Sequence, residues 1–426
     1  MKISILNGRL IDPANEVDSV TSLFIDAGRI IAAGDSAPPG FQPDQVFDAT
    51  GKLVIPGLID LSARLGEPGF EYKADINSES LAAVSSGITT LCCPPDTSPV
   101  IDAPAEIEFI EQREEEVGLA RIHVIAAITK GLKGEQLAEM ASLKEAGCIG
   151  VSNVFTPFAS GNIARSALAY AASHDLTVFI HPEDPDLANN GCIHEGAVAT
   201  RLGLPPVPEA AETAAIGYYL PIIKLAGVRA HFCRISTSEG MNMIRRARID
   251  GLPVTADVCA HQLFLTEMDT ADFNPLCHTR PPLRSQRDKD GLRMSLTANG
   301  IDAICSDHQP HELDAKLAPF PVTEPGISSL ETFLPLVLRL AEEQVVSLSE
   351  AIALVTCKPA GILGLNGFGR LNKGAVADLC LLDPDEEWEC DPNQFLSRGK
   401  NSPFGGWPFK GRVSHTFVGG NLVYQR

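Results

Sequence analysis

The chain has 426 residues, 44% of them hydrophobic, which is enough for one large domain with a sizeable core and a smaller second domain. Its 34 Lys and Arg against 54 Asp and Glu residues give a net charge of −20, which argues against nucleic acid and anionic membranes as partners. No apolar run approaches the ~20 residues of a membrane span. No secretion signal is recognisable, and the 11 cysteines include no Cys-x-x-Cys pair, so we expect a cytoplasmic protein with reduced cysteines.

Both ends of the chain have the pattern of short β-strands separated by Gly and Asp turns. Near the start, apolar runs occur at Ile3 to Leu6, Ser22 to Ile25, Ile30 to Ala33 and Lys52 to Ile55. Near the end they occur at Asp378 to Asp383 and Val413 to Val418, followed by the hairpin signal Gly419-Gly420-Asn421. We predict that residues 1–55 and 366–426 pair into one small β-sandwich satellite domain.

Between these ends, eight short apolar runs alternate with stretches that are long and periodic enough for helices. The runs are Val54 to Leu61, Thr89 to Cys93, Ile122 to Ile128, Ile149 to Val154, Thr177 to Ile180, Arg229 to Ile235, Val254 to Val258 and Ile301 to Cys305. A doubly wound open sheet is the alternative, but the count of eight favours an α/β fold built as a (β/α)8 TIM barrel over residues 56–365. Functional residues are then expected at the C-terminal ends of the strands.

Those strand ends carry a series of motifs. In chain order they are Pro56-Gly57-Leu58-Ile59-Asp60 with Glu67-Pro68-Gly69, His181-x-Glu183-Asp184, His194-Glu195-Gly196, Ile235-Ser236-Thr237, Thr255-x-Asp257-Val258, Pro281-Pro282-Leu283-Arg284, Ser306-Asp307-His308-x-Pro310-His311 with Lys316, and Gly326-Ile327-x-x-Leu330-Glu331-Thr332. In order and spacing over nearly the whole chain, the series resembles the type I dihydroorotases of the amidohydrolase superfamily. The resemblance implies an amidohydrolase-type barrel that opens or closes the cyclic amide of dihydroorotate in pyrimidine synthesis. In such enzymes a metal-bound hydroxide attacks the carbonyl and a strand-eight aspartate moves the proton.

Most of the ligands that this resemblance implies are replaced. The family's first strand reads Asp-x-His-x-His-x-Arg-Glu-Pro-Gly, and its two histidines share one face because side chains two apart on a strand point the same way. Ser62 and Arg64 stand at the histidine positions, and Gly66 stands where an arginine would bind the substrate carboxylate with two hydrogen bonds. Asp96 and Arg280 replace two asparagines that contact the substrate. Two metal ligands and three substrate contacts are therefore predicted to be lost.

Strands four and six have lost their metal ligands as well. The family's Ser-Asp-Asp-Gly segment, which supplies a bridging carboxylate, is replaced by Ser152-Asn153-Val154-Phe155, so that Asn153 and Val154 occupy the metal positions. On strand six the ligand position is held by Arg234. His231 lies three residues earlier, an odd offset that predicts the opposite face of the strand, so we do not expect it to substitute.

Three site residues survive, namely His181 on strand five, Asp307 on strand eight and His311 just beyond it. One interpretation is a residual single-metal site built on His181 and Asp307. The other is that all three persist as hydrogen-bonded groups in a packed barrel mouth. Two protein ligands are too few for stable zinc, since catalytic sites ordinarily use three and a water. Cys92-Cys93 could recruit a soft metal, but only one of two neighbours on a strand faces the site. We expect no zinc, no other cofactor and no intact catalytic group.

The two arginines at former metal positions suggest a physical substitution. Arg64 and Arg234 bring guanidinium groups to strand ends that also carry the carboxylates of Asp307, Glu183 and Asp96. A fixed organic cation can replace the charge of a lost metal, because an arginine pairs with a buried carboxylate through two hydrogen bonds. We therefore expect at least one of these arginines within salt-bridge distance of an acidic residue. The alternative is that both extend into solvent.

Three functions remain open from the sequence. The first is a non-catalytic subunit, because the lost ligands resemble those of inactive dihydroorotase-like chains that assemble with aspartate carbamoyltransferase in some bacteria. In that case we expect the catalytic chain of that enzyme as a partner and a homodimer of this chain as the core of the complex. The second is an active cyclic amidohydrolase with one atypical metal. The third is a pseudoenzyme that senses a pyrimidine precursor, although Gly66 and Asp96 argue against retained substrate affinity.

Overall fold

A computed structural model describes residues 1–297 and 300–426 of the chain. Eight parallel strands in the middle of the chain form one sheet, in which each strand lies beside the preceding one. They are β6 (Leu58–Asp60), β7 (Ile88–Cys93), β8 (Arg121–Ala127), β9 (Gly150–Ser152), β10 (Thr177–Ile180), β13 (Ala230–Phe232), β14 (Val254–Cys259) and β15 (Ala303–Cys305). The predicted (β/α)8 barrel is confirmed.

The barrel closes just beyond the ends of its first and last strands. Ala63 and His308 form an isolated parallel bridge, in which the backbone N–H of Arg64 donates to the carbonyl of His308 (2.9 Å). The N–H of His308 donates in turn to the carbonyl of Ser62 (3.1 Å). Closure therefore occurs at the level of the expected site, and it brings the segments after strands one and eight into direct contact.

Several strands are shorter than their apolar runs predicted. The run from Val54 to Leu61 contains two strands, because Leu53–Pro56 (β5) belongs to the terminal sheet and β6 begins only after Gly57. A Cβ atom at Gly57 would lie 2.2 Å from the side chain of Thr89, so the chain can pass this point only with glycine. The strands that were predicted to reach Val154 and Ile235 end at Ser152 and Phe232. Left-handed residues near their ends turn the backbone out of the extended conformation.

Helices pack around the barrel. The helices of the chain are α1 (Ile76–Ser85), α2 (Pro104–Val117), α3 (Met140–Glu145), α4 (Gly161–Ser173), α5 (Pro185–Ala188), α6 (Ala197–Leu202), α7 (Glu209–Ala226), α8 (Ser238–Ile249), α9 (Gln286–Thr297), α10 (Leu330–Glu342), α11 (Leu348–Ala353) and α12 (Cys357–Leu363). The exceptions are α5 and α6, which lie in the loop after β10 and bury their apolar residues in small separate clusters. A short parallel pair, β11 (Ile193–His194) and β12 (Pro206–Val207), lies in the loop after β10. Helix α1 begins with a capping box, in which Asp75 and Ser78 satisfy each other's backbone N–H groups.

The two ends of the chain form the β-rich domain that the sequence predicts. Its strands are β1 (Lys2–Asp12), β2 (Val17–Asp26), β3 (Arg29–Gly34), β4 (Gln45–Asp48), β5, β16 (Leu379–Glu389), β17 (Pro408–Val418) and β18 (Asn421–Gln425). They are joined in one hydrogen-bonded sheet, and Ile3, Ile25, Leu379 and Phe417 pack in a core separate from that of the barrel. The hairpin at Gly419-Gly420 is confirmed, and both glycines have the positive φ that such a two-residue turn requires.

The segment between β16 and β17 packs on the barrel. Cys390, Phe395 and Phe404 are buried in the main barrel core, although they lie within the range predicted as satellite domain. Farther along, Asn401 donates hydrogen bonds to the carbonyls of Gln309 (3.0 Å) and Gly326 (3.1 Å). The C-terminal region thus reaches the barrel mouth. In the part of the chain that the structure describes, no helix is both long enough and apolar enough to cross a membrane.

Candidate active site

The barrel topology brings the residues singled out from the sequence to one mouth. Ser62 and Arg64 follow β6, His181 follows β10, Arg234 follows β13 and Asp307 follows β15. All strands run in the same direction, so these positions meet at the C-terminal end of the barrel. The structure therefore places these residues together at the barrel mouth.

The carboxylate of Asp307 lies at the centre of the cluster. Its Oδ1 accepts hydrogen bonds from Nη1 of Arg234 (2.9 Å) and Oγ of Ser62 (3.3 Å), and Nη1 of Arg64 lies 3.5 Å away. Its Oδ2 accepts a hydrogen bond from Nε2 of Gln309 (3.0 Å). Burial alone would raise the pKa of Asp307, but the positive charges of Arg234 and Arg64 outweigh it and hold the pKa below its ordinary value. Asp307 is therefore an anion with both oxygens engaged.

The arginines at former metal positions both pair with acidic groups, which confirms the expected ion pairing. In addition to its approach to Asp307, Arg64 donates from Nε (2.9 Å) and Nη2 (2.8 Å) to Oδ2 of Asp96. The side chains of Arg64 and Arg234 are only 20% and 5% exposed, so the alternative that both extend into solvent is wrong. Guanidinium groups thus supply positive charge where the family pattern implies metal ions.

An aromatic ring packs among three guanidinium groups at this mouth. The Cζ atoms of Arg280, Arg234 and Arg64 lie 4.1, 4.8 and 5.8 Å from the ring centroid of Phe155. The ring of His181 meets Phe155 edge-on at 4.3 Å between centroids. The sequence reasoning assigned no role to Phe155. The sequence did offer a reason to single it out, because a bulky ring stands where the family segment ends in glycine.

The former substrate positions are also rebuilt. Nε of Arg280 donates a hydrogen bond to Oε1 of Glu183 (3.0 Å), and the carboxylate of Asp96 forms an ion pair with Arg64. Gly66 has a φ of +79°, and a Cβ atom there would lie 2.0 Å from the carbonyl oxygen of Ala74. The loop after strand one therefore leaves no room for an arginine, or any other side chain, at this position. Arg280 and Asp96, which stand at the two asparagine positions of the family pattern, therefore both belong to ion pairs.

His181 keeps its family position in an altered environment. Both of its ring nitrogens are buried and have no hydrogen-bond partner within residues 1–297 and 300–426. Burial, and after it the charges of Arg234, Arg280 and Arg64, lowers the pKa of His181 well below its ordinary value. The imidazole is therefore neutral and packs against Phe155.

His261 is a second histidine of the same kind, which the sequence reasoning did not identify. It follows β14, is 2% exposed, and neither ring nitrogen has a hydrogen-bond partner in the described part of the chain. Burial lowers its pKa to about 4, while the nearby charge of Asp307 acts in the opposite direction. Its position directly after the seventh barrel strand could have identified it.

The strand-four segment contributes no anion to the cluster. The amide of Asn153 is used locally, since Oδ1 accepts from Oγ1 of Thr129 (2.5 Å) and Nδ2 donates to the carbonyl of Thr156 (2.8 Å). Val154 has a φ of +49°, a strained conformation for a β-branched residue. This left-handed residue directly precedes Phe155, whose ring packs among the arginines.

The prediction for the facing of His231 is wrong. Its Nε2 lies 2.9 Å from Oδ2 of Asp257, and its Nδ1 lies 2.8 Å from Oγ1 of Thr255, while its ring contacts that of Phe179, a member of the buried cluster inside the barrel. His231 therefore faces the interior, below the mouth. The prediction assumed an extended strand, in which side chains three residues apart face opposite sides. Arg234 instead has a φ of +57°, which turns its side chain back towards the same interior.

His311 lies at the edge of the site and lines a cavity. Its Nε2 is 3.0 Å from the carbonyl of Pro325, and burial lowers the pKa of the ring to about 3. The cavity has a volume of about 230 Å³ and is also lined by Arg64, Asp96 and Phe155. Its walls are mostly apolar, so the pocket that remains differs from an open metal site.

The donor set at this mouth does not fit a pair of zinc ions. Both oxygens of Asp307 already accept hydrogen bonds, from Arg234, Ser62 and Gln309, and the guanidinium groups would repel a cation. Cys93 is buried, and burial raises its pKa to about 12, which keeps the thiol protonated. Two groups of potential ligands lie within 4.8 Å of one another in the described residues. They are His231 with Cys233 and Asp257, and His194 with Glu209 and Asp288. Neither contains His181 or Asp307.

The barrel, the strand-end histidine and aspartate, and the β-rich domain from both termini define a protein of the amidohydrolase type. Residues 51–240 match the Dihydro-orotase-like family, and residues 329–424 match the Amidohydrolase family. A dihydroorotase-like protein of Pseudomonas putida is 46% identical over 424 residues, covering 100% of this chain and 99% of that protein. One of Pseudomonas aeruginosa is 44% identical over 425 residues and 100% of both chains. The chain belongs to the dihydroorotase-like family.

Other relatives widen the comparison. A dihydroorotase of Syntrophotalea carbinolica is 41% identical over 425 residues, covering 100% of this chain and 99% of that protein. Among solved structures, the L-hydantoinase of Arthrobacter aurescens superposes with a TM-score of 0.87 at 23% identity, over 99% of this chain and 96% of that one. At such identity the structural match establishes only the shared fold.

Proposed function

We propose that this chain is a non-catalytic member of the dihydroorotase-like family that serves as an assembly subunit for aspartate carbamoyltransferase in pyrimidine biosynthesis. The observation that carries the proposal is the approach of Arg64 and Arg234 to the single carboxylate of Asp307. Two residues at former metal positions are thus engaged with the residue that would move the proton. Such an arrangement stabilises the mouth and engages the carboxylate that metal-assisted hydrolysis would need.

The electrostatics of the site support the same proposal. A general base works best when its pKa lies near the working pH, whereas arginines hold the pKa of Asp307 below its ordinary value. His181 is neutral and packed against Phe155, so it supplies no positive charge to the site. A cyclic amidohydrolase with one atypical metal is therefore less well supported than a chain without turnover.

The assembly role rests on the family pattern. The chain has the barrel, rim loops and β-rich domain of the family, whereas ion pairs fill its site. This combination favours a function in which the surface of the protein binds a partner. The sequence pattern resembles that of inactive chains that assemble with aspartate carbamoyltransferase, and two relatives carry the name dihydroorotase-like protein. We propose complexes built on dimers of this chain, with the catalytic chain of the transferase as the partner.

A sensor of a pyrimidine precursor is the second candidate, favoured by one observation. The cavity of about 230 Å³ beside Arg64 and His311 is large enough for a small heterocycle. A thermal shift assay with dihydroorotate and carbamoyl aspartate tests it. An increase in Tm that saturates at millimolar ligand supports a sensor, and an unchanged Tm removes this candidate.

The loss of catalysis has a direct test. Protein purified without added zinc should contain less than one firmly bound zinc per chain and show no dihydroorotase turnover, because the metal positions carry Ser62, Arg64, Asn153, Val154 and Arg234. The Syntrophotalea carbinolica dihydroorotase, prepared in the same way, is the positive control. Stoichiometric zinc together with a rate that Asp307→Asn abolishes would contradict the proposal.

The partner has a separate test. Size-exclusion chromatography with light scattering compares this chain and the aspartate carbamoyltransferase of the same organism, alone and mixed at micromolar concentration. We expect a larger mixed species. If the two proteins elute independently and the transferase is fully assembled and active alone, the assembly role is wrong and the sensor becomes the better candidate.

A further inference from the structure

The loop after the eighth barrel strand exposes an unusual group of apolar side chains. Leu313, Leu317 and Val322 are 74%, 78% and 70% exposed, and all three lie within ten residues of one another. Single exposed apolar residues are ordinary on protein surfaces, whereas a cluster marks a contact site. Tyr72, which is 58% exposed, lies beside this loop, because Nζ of Lys73 is 5.8 Å from its ring centroid and 3.8 Å from Glu324. We call these four side chains the rim patch.

The loop that carries the rim patch is anchored from below. Phe320 is buried and stacks on His278 with centroids 4.9 Å apart. His278 is hydrogen-bonded to Thr323 (2.8 Å), and the N–H of Glu324 donates to the carbonyl of Ala315 (3.1 Å). These contacts hold both ends of the exposed stretch, so its apolar side chains are presented on a fixed frame. A preorganised surface loses less conformational entropy on binding than a free loop.

The charge around the rim patch is negative. Glu312, Asp314 and Glu324 are the acidic residues of this loop, while Lys316 is buried with its Nζ directed to the carbonyl of Glu324. Lys73 lies 3.8 Å from Glu324, but its side chain is only 19% exposed. The loop thus combines exposed apolar side chains with carboxylates that no exposed lysine or arginine of the same loop balances, and contact surfaces commonly pair apolar with polar groups.

We propose that the rim patch docks a different protein chain, through an apolar groove bordered by Lys and Arg side chains. A second copy of this chain does not fit, because its own rim is acidic and its net charge of −20 would place like charges together. An anionic membrane is disfavoured for the same reason. The inference rests on the proposed assembly role, and it specifies the face of the barrel that the transferase contacts.

Paired substitutions at two faces of the barrel test this proposal. Leu313→Arg with Leu317→Arg places charge in the rim patch. Leu225→Arg with Ile249→Arg changes residues of similar exposure, 72% and 79%, at the C-terminal ends of α7 and α8 and therefore at the opposite end of the barrel. We expect the rim variant to bind aspartate carbamoyltransferase at least about thirtyfold more weakly than the unmodified chain, and the control variant within about twofold of it. Matching circular dichroism melts verify that both variants are folded.

The acidic residues of this loop are tested separately by kinetics. Asp314→Lys with Glu324→Lys should slow association about tenfold and flatten its dependence on salt, with a nearly unchanged dissociation rate. If the unmodified chain binds the transferase and the rim variant binds equally well, the rim patch is wrong while the assembly role stands. If the unmodified chain does not bind the transferase, the assembly role fails and this inference fails with it.

Discussion

At the scale of single residues, the positions where the family pattern implies a metal site form an ion-pair network. A buried carboxylate without a partner is strongly destabilising, and removal of metal ligands alone would leave Asp307 in that state. Arg234 and Arg64 provide fixed donors whose charge does not depend on a dissociable metal. Phe155 packs on the faces of both guanidinium groups. The network therefore stabilises the barrel mouth by groups that the chain carries itself.

This network makes a prediction about stability. Asp307→Leu should lower the free energy of unfolding by about 3–5 kcal/mol, because it leaves the buried guanidinium of Arg234 without its anion. The double variant with Arg234→Met should cost less than the sum of the single changes. Urea unfolding of the four species measures the coupling. The exposed pair Arg9–Asp18 is the control, and Arg9→Met there should cost less than about 1 kcal/mol. Equal costs at the two pairs would show that burial adds nothing to the interaction.

At the scale of elements, the ends of the barrel strands decide which residues meet. Val154 and Arg234 have left-handed backbones, with φ values of +49° and +57°, and each interrupts the alternation of an extended strand. For this reason Arg234 and His231 both face the barrel interior despite an odd separation. The loop after strand one is equally specific, because Gly66 lies against the backbone of Ala74.

The loop after strand one can be tested with matched glycines. Gly66→Ala should destabilise the protein by at least about 3 kcal/mol, since a side chain there combines a positive φ with a backbone clash. Gly51 has nearly the same φ, +77°, with no atom within 4 Å of its Cβ position, so Gly51→Ala should cost only about 1 kcal/mol. Urea unfolding measures both variants. A similar loss at both sites would mean that the loop can move, and that an arginine could be restored at Gly66.

At the scale of the whole molecule, burial keeps many histidines neutral. It is the largest cause that lowers the pKa of His123, His181, His194, His261, His278 and His311. The unfolded chain takes up protons on these residues below about pH 6.5. Burial lowers the pKa in the folded chain to about 4 for His123, His194, His261 and His278 and to about 3 for His311. Their contribution to stability is therefore complete above pH 6.5 and declines as the pH falls. Burial raises the pKa of Asp60 to about 6 and of Glu331 to about 7, which acts in the opposite direction over this range.

Because the histidines outnumber the two carboxyl groups, acid should destabilise the fold. We expect the free energy of unfolding to be roughly 5 kcal/mol lower at pH 5 than at pH 7.5. Urea titrations at the two pH values measure the difference, and His261→Gln should reduce it by about 2 kcal/mol. His174→Gln, at the end of α4, is the control. A protein that is equally stable at both pH values would show that these histidines are not held neutral.

The sequence by itself determined the architecture of this protein and its membership of the dihydroorotase-like family. The architecture could be recognised from three features that can be read along the chain. They are the eight apolar runs, the two β-rich ends and the series of motifs in their order. They were sufficient for the barrel, the β-rich domain and the family, while the loss of metal ligands at Ser62, Arg64 and Arg234 stays a prediction. The pairing of those arginines with Asp307 could also be anticipated, because opposite charges at strand ends meet in a closed barrel.

Only the tertiary structure decided how the replaced residues are arranged. The packing of Phe155 among three arginines depends on a left-handed residue before it, and nothing in the residue pattern specifies that backbone angle. His261 joins the site because strands far apart in the chain converge at the barrel mouth. The rim patch likewise became visible only when burial was known, since Leu313 and Phe320 are both apolar residues of one loop, and packing alone leaves the first exposed and the second buried. Local pattern determines which elements form, whereas long-range contacts determine which side chains face each other and which face solvent.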